Sequence, residues 1–382
     1  MSIRLFKPSI GKDEIKNIKE TISRSWLGLG PNVNLFEAKW KNHLKCKEAV
    51  AVNSGTAALH LGLKLFNFKK GKKVLVPSMS FSATASSVLY NDLEPVFVDS
   101  NPLTLNLDFN DLKKKYTKDC VAIIVVHYSG HPAEIDKIVN FANEKRIKVI
   151  EDCAHTDGSK FKNKPLGLWG NIGCFSFEEK KILTTGDGGM ICSNEKGLLK
   201  NVKAMRWVGI DKDNWKSSKQ YTKKNKKALH WYYEINQLGY KYNMNDLAAS
   251  IGLAQIKKLK KMNQKRKKII NFYISKLKLI SEIKLLVPYN TRKYTYQIFG
   301  IRTNYRNELI IYLKNKGIPT GCHWTPMTLQ PLFKKYKSKC KYIEKEIDKC
   351  LTLPLHADLT YKEVSFVCKN IIKFFDEKIS LK

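Results

Sequence analysis

Short runs of valine and isoleucine alternate with helical patterns through the first half of the chain. Residues 121–127 (Val-Ala-Ile-Ile-Val-Val-His) and 148–152 (Lys-Val-Ile-Glu-Asp) are two such runs, and the helical pattern 135–143 lies between them. Apolar runs of this kind, joined by helices, are typical of a parallel sheet that helices cover on both faces. The sequence therefore predicts an α/β fold whose large domain has a mostly parallel sheet flanked by helices.

Other stretches have the residue pattern of one helix or of one strand. Apolar residues recur every three or four positions in helical stretches and form short unbroken runs in buried strands. The predicted helices are 11–45, with an interruption at 26–31, 82–89 and 247–262. The predicted strands are 49–52, 73–77 and 95–99.

A smaller unit follows toward the C-terminus. Residues 196–235 are polar and rich in Lys and Asn, which indicates an irregular surface excursion. Residues 294–301 alternate polar and apolar side chains, as a half-buried strand does, and a helical pattern follows at 306–316. We expect a large domain over residues 1–262 and a small C-terminal α+β domain over residues 263–382.

Length, cysteine usage and hydropathy limit the class of protein. A chain of 382 residues with 43% hydrophobic side chains is long enough for two cores. It has no run of eighteen apolar residues, and its first residues lack an apolar signal segment, so we expect a cytoplasmic protein without a membrane partner. The nine cysteines show no metal-ligand spacing, which predicts reduced thiols and no metal site.

The formal net charge of +35 admits three interpretations. It reflects a compositional bias toward lysine, it helps attract a phosphorylated substrate, or it marks a nucleic-acid surface. The lysines are spread along the chain and form no single basic tail. This dispersion favours the compositional bias, and we expect no nucleic-acid partner.

A turn rich in small residues follows the predicted strand 49–52. It contains Gly55, Thr56 and Ala57, and it opens a segment with helical periodicity. The first N–H groups of a helix lack partners within the helix and attract anions, so a phosphate could bind here. Turns of this composition also occur without a ligand, so both interpretations stay open.

The carboxyl ends of three predicted strands carry polar or aromatic residues. Asp152 ends one strand, Phe81 follows a second, and Gly55 and Thr56 follow a third. Ligands of open parallel sheets bind beyond the carboxyl ends of the strands. We therefore expect these residues to lie close together.

A lysine pair follows another short apolar run. Residues 173–190 place Lys180 and Lys181 between that run and the turn 186–189, which is rich in glycine. A lysine that is partly removed from water has a lowered pKa, and its free amine can condense with an aldehyde. The alternative is a pair of ordinary surface charges.

These residues together match the requirements of pyridoxal phosphate. The cofactor needs a lysine, an acid beside its ring nitrogen, a flat group on its ring and an anion site for its phosphate. Each of these groups has an ordinary structural explanation when it is taken alone. The candidates are Lys181, Asp152, Phe81, and Gly55, Thr56 and Ala57 with Ser176.

Ordered motifs over nearly the whole chain resemble the sugar aminotransferases of the DegT/DnrJ/EryC1/StrS family, which are pyridoxal-phosphate enzymes of fold type I. The motifs share short stretches of defined sequence at intervals like those of the family. They are Trp26-Leu27-x-x-Gly30-Pro31, residues 53–59 (Asn-Ser-Gly-Thr-Ala-Ala-Leu), 77–84 (Pro-Ser-Met-Ser-Phe-Ser-Ala-Thr), 126–133, 151–155 (Glu-Asp-Cys-Ala-His), 173–190, 238–244 and 353–355.

The resemblance implies a role for each candidate residue. Lys181 would bind the cofactor covalently and move the proton, and Asp152 would pair with the ring nitrogen. His155 would lie near the ring hydroxyl, and Phe81 would stack on the ring. Thr56, Ala57 and Ser176, beside Gly55, would hold the phosphate. Substrate contacts are expected at Trp26, Leu27 and His323.

The resemblance also implies an assembly and a reaction. Lys241 and Asn243 would reach the phosphate in a neighbouring subunit, so we expect a homodimer with shared active sites. The amino group would pass from glutamate to a keto sugar, above all a nucleotide-linked 4-keto-6-deoxyhexose. A 3-keto sugar, an inosose or a small phosphorylated ketone is the alternative acceptor, and a basic nucleic-acid-binding regulator is the remote alternative.

The family pattern also decides between the two lysines. It places three residues between Ser-Phe and the reactive lysine, which selects Lys181 over Lys180. Related dehydratases carry histidine at this position, so the retained lysine argues against dehydration. Glu178-Glu179 and Thr328 depart from the usual residues of the family near the expected substrate mouth.

Overall fold

A seven-stranded sheet forms the centre of the large unit. The structure is a computed structural model that describes residues 3–210, 235–286, 294–336 and 338–380. Two helices, α1 (Lys12–Ser23) and α2 (Pro31–Leu44), precede the sheet. The sheet strands are β1 (Glu48–Val52), β2 (Lys73–Pro77), β3 (Glu94–Val98), β4 (Cys120–Val126), β5 (Lys148–Asp152), β8 (Ile172–Ser176) and β9 (Gly189–Ser193), and a small hairpin pairs β6 (Lys160–Phe161) with β7 (Lys164–Pro165).

The strand order is β1-β9-β8-β5-β4-β2-β3. Strands β2 to β5 and β8 pair in parallel, whereas β9 runs antiparallel to both of its neighbours. Helices connect the strands and cover the sheet, because parallel neighbours need a crossover connection. The connecting helices are α3 (Gly55–Lys64), α4 (Ala83–Leu89), α5 (Phe109–Lys115) and α6 (Ile135–Lys145), and α7 (Lys200–Met205) follows β9. The predicted α/β fold with a mostly parallel sheet is confirmed.

The long helix α8 (Asp246–Leu277) leads into the second unit. An antiparallel sheet of β10 (Lys284–Leu285), β11 (Phe299–Arg302) and β12 (Cys350–Leu353) lies there. Helices α9 (Arg306–Asn315) and α11 (Tyr361–Ser380) pack on this sheet, and α10 (Lys341–Glu346) precedes β12. Four short 3-10 turns complete the described elements: Tyr128–Gly130, Met327–Leu329, Pro331–Tyr336 and Ile347–Lys349.

Two predicted elements have the wrong extent. The helix predicted at 247–262 continues to Leu277, because Ile269, Ile270 and Tyr273 keep the helical spacing and are buried in the core of the second unit. The strand predicted at 294–301 is present only from Phe299. Its earlier residues form other contacts, since the N–H of Gln297 donates to the carbonyl of Ser129 at 3.0 Å.

The predicted polar excursion at 196–235 is partly outside the described residues. Helix α7 lies within its first part, so that part is not irregular. Residues 211–234 are not among those that the structure describes.

The predicted division at 262/263 falls inside α8, whose first half packs on the large core and whose second half packs on the small one. The two-domain division stays a prediction.

All nine cysteines are free, and eight of them are buried. In the described part of the chain, no helix combines the length and the apolar character needed to cross a membrane.

Glu151 stabilises the loop that follows the β6–β7 hairpin. Its buried carboxylate accepts hydrogen bonds from the backbone N–H groups of Gly167 (2.8 Å), Trp169 (2.6 Å) and Gly170 (2.7 Å). His127 Nε2 lies 3.1 Å from the same carboxylate. Because His127 Nδ1 accepts from the N–H of Ala133, the other ring nitrogen carries the proton and donates to Glu151.

We expect Glu151→Gln to lower the free energy of unfolding by about 2–3 kcal/mol, because an amide NH₂ cannot accept the bonds that one carboxylate oxygen now accepts. Denaturant unfolding followed by circular dichroism measures this loss. Glu144→Gln is the control, since Glu144 lies exposed on α6, and it should change stability by less than about 0.5 kcal/mol. Equal stabilities of the two variants would contradict this role for Glu151.

Candidate active site

A cavity of about 360 Å³ opens at the carboxyl edge of the large sheet. It collects residues that follow β1, β2, β5 and β8, together with residues of the second unit. Most of the predicted site residues line it: Gly55, Thr56, Phe81, Asp152, His155, Ser176, Lys181 and His323. The convergence expected from the parallel sheet is therefore present.

Lys181 lies on the turn that follows β8. Its backbone N–H donates to the carbonyl of Glu178 at 2.9 Å, which closes the turn. The side chain is partly buried, and burial lowers the pKa of its amine, against the opposing charges of Glu178, Asp152 and Asp157. Lys180 is exposed, with Nζ 3.9 Å from the Glu178 carboxylate. The geometry thus distinguishes the adjacent lysines in the way the family pattern does.

Asp152 is the last residue of β5 and is buried. Thr84 Oγ1 donates to its Oδ2 at 2.8 Å, and the N–H of Ala154 donates to its Oδ1 at 3.2 Å. Burial raises the pKa of this carboxyl, although the hydrogen bond from Thr84 acts in the opposite direction. A carboxylate held in this way can stabilise a cationic group that enters the cavity.

His155 is buried beside the lysine. Its ring stacks on the indole of Trp324, with centroids 5.1 Å apart and planes 7° from parallel. Burial, together with the charge of Lys181, moves its pKa well below the usual histidine value, so the ring is neutral at neutral pH. Its Nδ1 is buried and has no hydrogen-bond partner among the described residues, which leaves it available to a ligand.

The start of α3 forms a narrow cradle with Ser176. Ser54 caps the helix, and its Oγ accepts the N–H of Ala57 at 3.1 Å. A Cβ added at Gly55 would lie 2.7 Å from the Ser176 Cβ, so only glycine lets these two segments come so close. Ala57 is not among the residues that line the cavity, and its N–H donates to the cap. Gly55 and Thr56 remain at the cavity as the predicted anion site.

The outer part of the cavity is aromatic. Phe81 is 56% exposed, and its ring centroid lies 6.1 Å from that of Trp324. His323 is fixed by Thr352, whose Oγ1 lies 3.0 Å from Nδ1, and burial lowers the pKa of its ring to about 4. The Phe6 ring meets the His323 ring edge-on at 5.3 Å.

Four residues that line this cavity lie outside the predicted site residues and motifs. They come from the N-terminal segment and from the second unit, and they are Phe6, Gln297, Ile298 and Trp324. Trp324 is adjacent to His323 in sequence, which was the one available indication. Neither Phe6 nor Gln297 belongs to a pattern that predicts a site.

Besides Ala57, four predicted residues do not line this cavity in the described part of the chain. Trp26 and Leu27 are exposed, and their loop is held by α8, because the N–H of Asp246 donates to the carbonyl of Leu27 at 3.1 Å. Lys241 and Asn243 lie beside the turn into α3, where the carbonyl of Tyr242 accepts the N–H of Asn53 at 2.7 Å. The contacts predicted for Lys241 and Asn243 are with the cofactor of a neighbouring subunit, and those predicted for Trp26 and Leu27 are with the substrate. All four stay predictions.

Comparison with known proteins places the chain in a family. The model of the DegT/DnrJ/EryC1/StrS aminotransferase family matches residues 8–372. The chain belongs to this family. It is an aminotransferase, as the sequence motifs predicted.

Individual relatives support the assignment. The chain is 31% identical to the dTDP-4-dehydro-2,3,6-trideoxy-D-glucose 4-aminotransferase of Saccharopolyspora spinosa, covering 99% of this chain and 98% of the relative. It is 30% identical to the GDP-perosamine synthase of Escherichia coli O157:H7, covering 98% and 99%. Among solved structures, the PMP form of Spr1654 from Streptococcus pneumoniae is similar, with TM-score 0.89, 25% identity, and coverage of 100% and 99%.

The cofactor of this aminotransferase family is pyridoxal phosphate, and the residues present fit it. The unpartnered Nδ1 of His155, the buried carboxylate of Asp152 and the cradle between Gly55 and Ser176 each match one part of the group. Lys181 supplies the amine. The predicted cofactor is thereby confirmed for the family and is compatible with the cavity.

One buried group of potential metal ligands lies nearby. His127, Glu151 and Cys153 bring ligand atoms within 4.8 Å of one another. The His127 nitrogens and the Glu151 oxygens are already engaged in hydrogen bonds with each other and with the backbone. These hydrogen bonds explain why His127 and Glu151 lie so close together, next to Asp152.

We expect Thr84→Val to weaken pyridoxal-phosphate binding by about tenfold, because Asp152 loses its hydroxyl donor and its carboxylate becomes harder to ionise. Titration of the cofactor followed by visible absorbance measures the Kd. Ser87→Ala is the matched control on the same helix, since Ser87 Oγ donates to the carbonyl of Thr84 and not to Asp152. A Thr84→Val enzyme with the Kd of the control would show that this hydrogen bond does not serve the cofactor.

Proposed function

We propose that this aminotransferase moves an amino group from glutamate to a keto sugar, which we take to be a nucleotide-linked 4-keto-6-deoxyhexose. The observation that carries the proposal is the placement of a partly buried Lys181 in one cavity with Asp152 and His155. The proposed site therefore combines an amine, an acid and a neutral imidazole.

Lys181 has the properties that a reactive lysine needs. Burial lowers the pKa of its amine, so a larger fraction is unprotonated near neutral pH than for an exposed lysine. The turn between Glu178 and Lys181 directs the side chain into the cavity. We assign to Nζ both the covalent attachment of the cofactor and the transfer of the substrate proton.

The other residues that line the cavity would orient the cofactor. Bound pyridoxal phosphate supplies an aldehyde and a ring that withdraws electrons from the bonds of an attached amino acid. Asp152 would keep the ring nitrogen protonated, and His155 would donate or accept at the ring hydroxyl. Phe81 would cover one ring face, and Gly55, Thr56 and Ser176 would bind the phosphate.

The acceptor assignment rests on the relatives and on the shape of the mouth. One relative is named for a 4-dehydro sugar carried on dTDP, and another for the synthesis of GDP-perosamine. The aromatic mouth formed by Phe6, His323 and Trp324 offers apolar surface for a sugar ring. The exposed Lys180 offers a cation near the same opening for an anionic substrate.

A homodimer with shared active sites belongs to the same proposal. Trp26, Leu27 and Leu238 are large apolar residues with exposures of 56%, 47% and 73% in the single chain. Exposed apolar residues of this size are typical of contact surfaces. Lys241 is exposed beside the turn into α3, where it could reach a partner's site. The cytoplasmic location stays a prediction.

Borohydride reduction of the holoenzyme should fix the cofactor to Lys181, because Lys181 rather than Lys180 is partly buried beside Asp152. Peptide mapping by mass spectrometry locates the label. Lys181→Ala should lower kcat by at least about 10³-fold, whereas Lys180→Ala, the matched control, should keep the covalent label. Label on Lys180 would contradict the assignment.

Phe6→Ala should raise the KM for the keto-sugar acceptor by about tenfold, because the acceptor loses an aromatic wall. The half-reaction with glutamate should change by less than about threefold, since its substrate is small. Stopped-flow absorbance separates the two half-reactions, and a panel of 4-keto and 3-keto nucleotide sugars, inososes and phosphorylated ketones identifies the acceptor.

The control for this measurement is Phe366→Ala, which removes a partly exposed aromatic ring on α11 outside the cavity. An equal effect of Phe6→Ala on both half-reactions would contradict a role in acceptor binding. Turnover of phosphorylated ketones alone would overturn the sugar assignment and leave the aminotransferase assignment intact.

A further inference from the structure

Asp157 is a buried carboxylic acid behind the lysine turn. It follows β5 and is only 1% exposed, and it is not one of the described residues that line the cavity. Its Oδ2 accepts the backbone N–H of Leu183 at 3.2 Å. Its Oδ1 is buried and has no hydrogen-bond partner in the described part of the structure. Neither the proposed chemistry nor the sequence motifs use this residue.

The contact to Leu183 joins the lysine turn to the loop that follows β5. On the other side, Gln297 Nε2 donates to the carbonyl of Lys180 at 2.5 Å. Lys181 lies between these two attachment points. The position of its backbone therefore depends on Asp157 from one side and on the second unit from the other.

Asp157 also connects the turn to α8. Its backbone carbonyl accepts Asn263 Nδ2 at 2.8 Å. One helical turn further on, Arg266 donates to the carbonyls of Tyr296 and Gln297, both at 2.8 Å. The loop of Asp157 and the segment of Gln297 are thus held by the same helix.

Two cations act electrostatically on the Asp157 carboxyl, Lys181 from the turn and Arg266 from α8. Burial raises the pKa of Asp157 to about 7, and the hydrogen bond from Leu183 and the two cations oppose the rise. The charges that act on Lys181 are Glu178, Asp152 and Asp157, which raise its pKa, and Lys180, which lowers it. The charge of Asp157 therefore acts on the pKa of Lys181, and the charge of Lys181 acts on the pKa of Asp157.

A purely structural carboxylate would be expected to have both oxygens engaged, as Glu151 has. Asp157 instead leaves Oδ1 without a partner at a buried position, which costs free energy. An asparagine could accept the Leu183 N–H equally well. The feature that only the acid supplies is its negative charge.

We propose that Asp157 is a positioning residue for Lys181: its carboxylate anchors the turn at Leu183, and its negative charge favours the protonated form of the lysine nitrogen. The proposal rests on the proposed function only in taking Lys181 as the reactive lysine. Because the carboxyl ionises near pH 7, this charge acts on the lysine nitrogen in the neutral and alkaline range.

The test compares Asp157→Asn with the wild-type holoenzyme. The pH midpoint at which the visible band of the lysine-bound cofactor changes reports deprotonation of the lysine nitrogen. The variant keeps an acceptor for Leu183 but loses the charge, so the midpoint should fall by on the order of one pH unit. Cofactor Kd should stay within about threefold of wild type, whereas Asp157→Leu, which also loses the acceptor, should weaken binding by about tenfold.

Asp136→Asn is the matched control, since it removes a carboxylate on α6 that pairs with Lys162, and its midpoint should equal that of wild type. An unchanged midpoint in Asp157→Asn would overturn the proposal. Borohydride labelling of the same samples keeps the two hypotheses apart, because absence of label from Lys181 refutes the proposed function, whereas normal label with an unmoved midpoint refutes only the role of Asp157.

Thermal unfolding against pH gives a readout that does not depend on turnover. A carboxyl whose pKa is raised in the folded state is protonated there while it is ionised in the unfolded chain, so stability falls as pH rises from about 4 to about 7. The Asp157→Asn variant has no carboxyl at this position, so its stability does not show this fall with rising pH. Its Tm should exceed that of wild type by about 2 °C or more at pH 8 and should lose this advantage at pH 4. An identical pH dependence of Tm in both proteins would contradict a buried titrating charge.

Discussion

Parallel pairing of strands is the constraint on which the site depends. Because β2, β4, β5 and β8 run in one direction, their carboxyl ends meet at one edge of the sheet. Asp152 ends β5, and Lys181 follows β8, its parallel neighbour. The antiparallel β9 returns from this edge and leaves room for the lysine turn. Residues from separate parts of the chain therefore reach one cavity.

Removal from water is the second physical factor, and it moves the pKa values of four titratable groups in and behind the site toward neutrality. It raises the pKa of Asp152 and Asp157 and lowers the pKa of Lys181 and His155. A lysine with a free amine and a neutral imidazole are what imine chemistry requires near neutral pH. The carboxylates limit this effect, because their negative charges favour the protonated amine. The reactivity of Lys181 thus depends on a balance between burial and nearby acids.

Much of the fold and half of the site follow from local patterns. The strand predicted at 148–152 has the bounds of β5, because a short apolar run between polar residues is typical of a buried strand. Lys181 and Asp152 were predicted for the same reason, since each follows or ends such a run. Trp324 and Gln297 were missed because they enter the cavity from the second unit. The length of α8 was underestimated because its second half packs on a different core.

The sequence by itself determined the order of strands and helices, the polar residues at the strand ends and the lysine between Ser176 and the turn that is rich in glycine. These features are local, because period and turn chemistry act over a few neighbouring residues. Only the tertiary structure decided which side chains form the outer wall and which acid faces Lys181. Phe6 and Trp324 reach the cavity, and Asp157 reaches the lysine turn behind it, through contacts between segments that are distant in sequence. No local pattern encodes such a contact.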